Sequence, residues 1–185
     1  MVAKPIVRTI RMTSELDALI REEAKKRRVT VSALVDSILR DYVDWYRILL
    51  KTDWVIIDQQ TLRSLLDLGN EEDLMRIGKA AGLNAAGTLS LFGKHEDGFS
   101  IDSSLDICER YSAHNRTGRY EITKSGDIRT LKYTTNLGEK WANVMKYVWT
   151  EILHAFGLTA ERIETKGSTL ITEFSIGKTH KSKST

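Results

Sequence analysis

The sequence predicts an α+β chain built as two domains, and three observations predict it. Residues 6–12 alternate apolar and polar side chains and run straight into two stretches of helical periodicity. Residues 138–156 repeat apolar side chains at mostly three- and four-residue steps, the pattern of one long amphipathic helix. Two pairs of alternating runs, each pair split by a glycine turn, flank that helix as β-hairpins.

In the first run, Ile6, Ile10 and Met12 fall on one side and Val7, Thr9 and Arg11 on the other. Arg8 interrupts the apolar side. Thr13 or Ser14 then caps a helix reaching about Arg28, with Leu16, Leu19, Ile20 and Ala24 inward and Arg21, Glu22, Lys25 and Lys26 outward. Thr30 caps a second helix carrying Leu34, Val35, Ile38, Leu39, Tyr42, Val43, Trp45 and Tyr46, which ends near Leu50. A lone strand leaves a row of backbone N–H and C=O groups unsatisfied, so it needs a partner. No other strand is predicted in the first 50 residues, and a second copy of the chain supplies one across a twofold axis.

The segment from Val7 to Trp45 resembles a ribbon-helix-helix domain of the Arc/MetJ/CopG type, through its alternating strand, its Thr13 cap, two helices of matching length and Thr30-Val31-Ser32 opening the second. The resemblance implies an intertwined dimer whose antiparallel ribbon enters the major groove of DNA, with the second helix start held against phosphate. The residue chemistry suits those roles. Arg11 can bond two acceptors on guanine, Thr9 offers a hydroxyl that donates or accepts, and Val7 can touch a thymine methyl. Arg8, at the ribbon's edge, reaches either a phosphate or an acidic residue of the partner chain. Thr30, Val31 and Ser32 present free N–H groups and the positive end of a helix dipole, a setting that suits phosphate as well as simple capping. The basic run at residues 25–28 is stabilised by the dipole at a helix C-terminus and adds sequence-independent attraction to a polyanion.

Charge is distributed to match. The chain carries a net +3; residues 1–48 hold 10 Lys/Arg against 7 Asp/Glu, while residues 49–185 hold 18 of each sign. The single cysteine, Cys108, excludes an intrachain disulfide and suits a reducing compartment, so a cytoplasmic protein is expected. No run approaches the roughly 20 apolar residues of a membrane span, and the first residues lack an apolar signal core.

Residues 49–54 read as a linker or helix extension, 55–176 as the second domain and 177–185 as a polar tail. Within the second domain, Trp54 to Ile57 reads as a short strand and residues 71–81 as a helix through Leu74, Met75, Ile77 and Ala80. Residues 82–104, rich in Gly, Asn and Ser, read as mainly loop with a strand around 88–92, and 104–113 as a short helix. The hairpins are expected at 119–134, turning at Ser125-Gly126-Asp127, and at 162–176, turning near Lys166-Gly167-Ser168; Gly157 ends the helix between them.

A metal-sensing site would have to draw on Cys108, His95, His114 and His154, too few and in the wrong order for the histidine cluster of nickel-responsive ribbon-helix-helix proteins. No phosphate-binding glycine loop, nucleophile elbow or zinc-hydrolase helix occurs, so neither catalysis nor a cofactor is expected. The expectation is therefore a homodimeric, or dimer-of-dimers, transcriptional regulator that binds double-stranded DNA through residues 1–48. Residues 55–176 would sense an unidentified small-molecule effector or mediate assembly. The alternative is the antitoxin of a toxin–antitoxin pair, its C-terminal part masking a toxin.

Overall fold

The computed structural model describes residues 6–47, 50, 57–92, 100–115 and 117–177. Mixed helix and antiparallel sheet make it α+β, and the chain divides into two compact units, residues 1–53 and 54–185.

The first unit holds α1 (Ser14–Arg27) and α2 (Val31–Asp41), the latter continuing into a π-helical turn over Tyr42–Tyr46. Arg28 joins the helices in the left-handed region at φ 57°, and its N–H donates to the carbonyls of Ala24 and Lys25 at the end of α1. Residues 6–13 form no strand in the single chain, which departs from the expected ribbon. The physical reason is local: nothing among the described residues gives the segment a ladder of hydrogen bonds, and extended backbone without a ladder is not a strand.

The second unit contains α3 (Gln59–Leu68), α4 (Glu71–Phe92), α5 (Ile101–Asn115), β1 (Gly118–Ser125), β2 (Ile128–Thr135), α6 (Glu139–Ala155), β3 (Ala160–Lys166) and β4 (Thr169–Ser175). The sheet is wholly antiparallel in the order β1-β2-β4-β3, so two hairpins lie side by side and α6 crosses one face between them. Tyr120, Leu131, Tyr133, Leu170 and Phe174 of the sheet are buried with Val144, Val148, Trp149, Ile152 and Leu153 of α6 in one core. Aromatic rings hold that interface: the Trp149 indole N–H donates to the Tyr120 hydroxyl at 3.3 Å, and the Tyr120 and Tyr133 rings lie 4.5 Å apart. The opposite sheet face is polar, with Lys132 paired to Glu121 at 3.1 Å.

Two expectations are corrected here. Residues 82–92 are not a loop with a strand, because α4 runs unbroken to Phe92. Its glycines serve close packing on α6: a Cβ on Gly78 would lie 2.6 Å from the Val144 carbonyl, and one on Gly82 would lie 2.7 Å from the Glu151 Cβ. Packing against a neighbouring backbone outweighs the modest helix cost of glycine. The helix predicted over 104–113 is likewise longer, starting at Ile101. Helix α3 has no counterpart among the expected elements, although Asp58 caps it by accepting the Thr61 N–H at 2.9 Å. The strand expected at 54–57 falls almost wholly outside the described residues, as does most of the tail.

At the centre of β4, Thr172 sits opposite Leu131 and Ile163, fully buried, and its hydroxyl has no hydrogen-bond partner among the described residues. Thr172→Val replaces that hydroxyl by a methyl of similar shape and removes an unsatisfied polar group. We expect a gain of about 1 kcal/mol in unfolding free energy, read from urea melts. A lower midpoint would mean that the hydroxyl is bonded in solution.

Candidate nucleic-acid interface

Thr13 fixes the point where extended chain becomes helix: at φ −70° and ψ 155° it lies outside α1, and its hydroxyl accepts the Leu16 N–H at 3.3 Å. Upstream of that cap every residue from Ile6 to Met12 is exposed. Val7, Thr9 and Arg11 share one parity of this segment, and Val7 is 88% exposed. Arg8, of the other parity, turns its guanidinium back to donate to the Val7 carbonyl at 3.3 Å. Thr30 caps α2 by accepting the Ala33 N–H at 3.1 Å, while Val31 is half-buried and Ser32 exposed at the first turn. No hydrogen bond among the described residues joins the Val7–Arg11 group to the Thr30–Ser32 group.

Ion pairing divides the basic residues of this unit into two kinds. Along the helices Arg21 pairs with Asp17 at 2.6 Å, Lys26 with Glu22 at 2.8 Å, Arg27 with Glu23 at 2.6 Å and Arg40 with Asp36 at 2.7 Å. The hydrogen bond and charge of Lys26 draw the Glu22 carboxyl below its ordinary range, and Glu22 in turn raises the Lys26 ammonium. Arg11, Lys25 and Arg28 pair with no carboxylate among the described residues. The positive charge without a carboxylate partner among the described residues thus lies on the segment before α1 (Arg8, Arg11), at the C-terminal end of α1 (Lys25, Arg28) and at Arg47, whose guanidinium donates to the Val43 carbonyl. The four-residue offsets of Glu22–Lys26 and Glu23–Arg27 mark these pairs in the sequence itself. The basic run at residues 25–28 is therefore not one cluster, since half of it is neutralised within its own helix.

Elsewhere the chemistry is quiet. Cys108 is a neutral thiol, burial pushing its pKa up to about 12. His154 is exposed, and the described residues contain no cluster of His, Cys, Asp or Glu fit to hold a metal ion. The His95 and His114 side chains fall outside the described set. No helix among the described residues is long and apolar enough to cross a membrane. Neither a protein-family model nor a curated protein matches the chain.

Proposed function

We propose that the chain is a homodimeric, sequence-specific DNA-binding regulator whose N-terminal segments pair as an antiparallel ribbon in the major groove. One observation carries this reading. In a single copy, α1 and α2 bury only Ala24 and Leu34, while Leu16, Leu19, Ile38, Leu39, Tyr42 and Val43 stay between 46% and 58% exposed. Two short helices with so little covered apolar surface cannot offset the entropy of ordering their chain. A second copy covers the inward sides of both helices, and pairing residues 6–12 with their own symmetry mate gives that segment its missing ladder. The paired ribbon would then present Val7, Thr9 and Arg11 twice on one face, with the α2 start at Thr30, Val31 and Ser32 and the Arg8 guanidinium available to phosphates.

The unpaired charges of Arg11, Lys25 and Arg28 support the same reading through attraction to the DNA backbone. Residues 54–185, with their helix-on-sheet core, fit a regulatory or assembly module better than a toxin-masking tail that folds on its target. A small-molecule effector would bind within that unit, and no metal or cofactor is invoked.

Sedimentation of the full chain at micromolar concentration should give a dimer, and Ile10→Glu, which sets a carboxylate on the inward side of the ribbon, should give a monomer. The dimer should retain members of a random duplex pool with an affinity that falls steeply as salt rises. A wild-type chain that sediments as a folded monomer, or one with no salt-sensitive duplex affinity, refutes the proposal.

A further inference from the structure

Arg28, at φ 57°, is the one residue other than glycine with a positive φ among the described residues. Where the second unit needs that conformation the sequence supplies glycine each time, at Gly126, Gly138, Gly157 and Gly167, and a Cβ at any of the four would meet nothing within 4 Å. Glycine there answers to the backbone alone, because in the left-handed region a Cβ is pressed against the following carbonyl. The turn after α1 makes the same demand. The Arg28 N–H reaches the Ala24 and Lys25 carbonyls, and the Val29 N–H donates to the Ala24 carbonyl at 3.0 Å, a closure that sets the residue after the helix left-handed. An arginine stands where glycine fits best. Nothing within the unit accounts for that choice: Arg28 is exposed, and its guanidinium meets no carboxylate among the described residues. The dipole at the end of α1 is served already by Lys25, Lys26 and Arg27 in the last turn, so a fourth cation there adds mainly repulsion.

We infer that Arg28 is a phosphate ligand of the DNA interface, its guanidinium forked onto one backbone phosphate. This rests on the DNA-binding reading above. Arg28 stands two residues before Thr30, so its Cα lies within about 7 Å of the α2 cap, on the turn that delivers the chain to that helix. The two backbone bonds to the end of α1 fix where the side chain starts, which sets it apart from a charge on a frayed end. A guanidinium presents two parallel donors to a phosphate and stays charged across the working pH range, so the residue type suits a ligand for a phosphodiester. The conformational cost is borne by the turn and the return comes in binding, a division found where backbone strain serves a site.

The test compares Arg28→Gly and Arg28→Lys in the full chain, because folding and binding should move in opposite directions. Arg28→Gly relieves the crowded Cβ, so the amides of α1 and α2 should exchange with solvent deuterium about threefold more slowly at fixed chain concentration. The same variant should bind a duplex selected from a random pool about tenfold more weakly, with the slope of log affinity against log salt reduced by about one per chain. Arg28→Lys keeps both the Cβ and the charge. Its exchange and salt slope should stay at wild-type values while its affinity falls about threefold through loss of the forked contact. An Arg28→Gly chain that exchanges more slowly yet keeps wild-type affinity and slope overturns the phosphate contact alone. One whose α1 and α2 amides exchange faster overturns it as well, since the guanidinium would then be holding the turn. A wild-type chain without salt-sensitive duplex affinity overturns the DNA-binding reading and this inference together.

Discussion

Asp102→Ala should destabilise the second unit by about 3 kcal/mol and lower its melting temperature by about 10 °C. The side chain of Arg129 is only 8% exposed, and its Nε and Nη2 donate to the two Asp102 carboxylate oxygens at 2.7 and 2.8 Å. Its Nη1 donates to the Gly126 and Ile128 carbonyls at 2.6 and 3.0 Å. Removing the carboxylate leaves a buried guanidinium without two of its four hydrogen bonds, the costly way to break an ion pair. Asp102 is 34% exposed, so water reaches one side of the pair, which places the cost at the low end of the usual range of about 3–5 kcal/mol. Asp106→Ala, one turn further along α5, is the contrast. Its carboxylate is 58% exposed and meets Lys124 at 3.1 Å, and such surface pairs contribute less than about 1 kcal/mol. Equal melting temperatures for the two variants would remove Asp102–Arg129 as a structural pair.

The same pair sets a pH dependence. Hydrogen bonds from Arg129, with help from the charges of Arg129 and Lys124, hold the Asp102 carboxyl below its ordinary range against the opposing effect of partial burial. A carboxyl with a depressed folded pKa contributes its stability above the unfolded value and loses it as pH falls through the folded one. The gap between wild type and Asp102→Ala should therefore be constant above about pH 5 and narrow below about pH 4, measured by urea melts at each pH.

Much of this arrangement is legible in the sequence, and the exceptions have identifiable causes. The hairpins and α6 declare themselves because Leu131, Tyr133, Leu170 and Phe174 obey a two-residue period, while Val144, Val148, Ile152 and neighbours obey a helical one. Periodicity alone cuts α4 short, because glycine and asparagine signal loops locally, and the packing that favours Gly82 comes from α6, more than 60 residues downstream. Arg129 occupies the inward parity of β2 beside Leu131 while Ile128 is 44% exposed. That inversion depends on Asp102, 27 residues earlier, and no local period reveals it. In the N-terminal unit both helices start, and both caps, Thr13 and Thr30, stand, where the local signals put them, but the second helix gives way at Tyr42 to a π-helical turn, short of its expected end near Leu50. Residues 6–12 form no strand in the single chain; the proposed ribbon would draw its hydrogen bonds from two copies.

Base reading and charge attraction are separable by two substitutions in the N-terminal unit. Arg11 is exposed and pairs with no carboxylate among the described residues, so in the ribbon reading its guanidinium bonds guanine. Arg11→Ala should cost about 1–3 kcal/mol per guanine on a duplex selected from the random pool, and should flatten the preference for that duplex over a scrambled one. Each chain contributes one Arg11, so a dimer gives up two guanines and the effect doubles. Lys25 is the better probe of phosphate attraction than Lys26, because Lys26 already pairs with Glu22 at 2.8 Å. Lys25→Ala should weaken every duplex alike and reduce the slope of log affinity against log salt by about one for each phosphate no longer neutralised. Lys26→Ala should move that slope less, since a lysine already paired with Glu22 neutralises less phosphate charge and displaces fewer counterions. Fluorescence anisotropy across a salt series, with selected and scrambled duplexes, reads all three variants in one experiment. If Arg11→Ala keeps the full preference for the selected duplex, the ribbon does not read bases through Arg11, and the assignment of Val7, Thr9 and Arg11 to the groove falls with it.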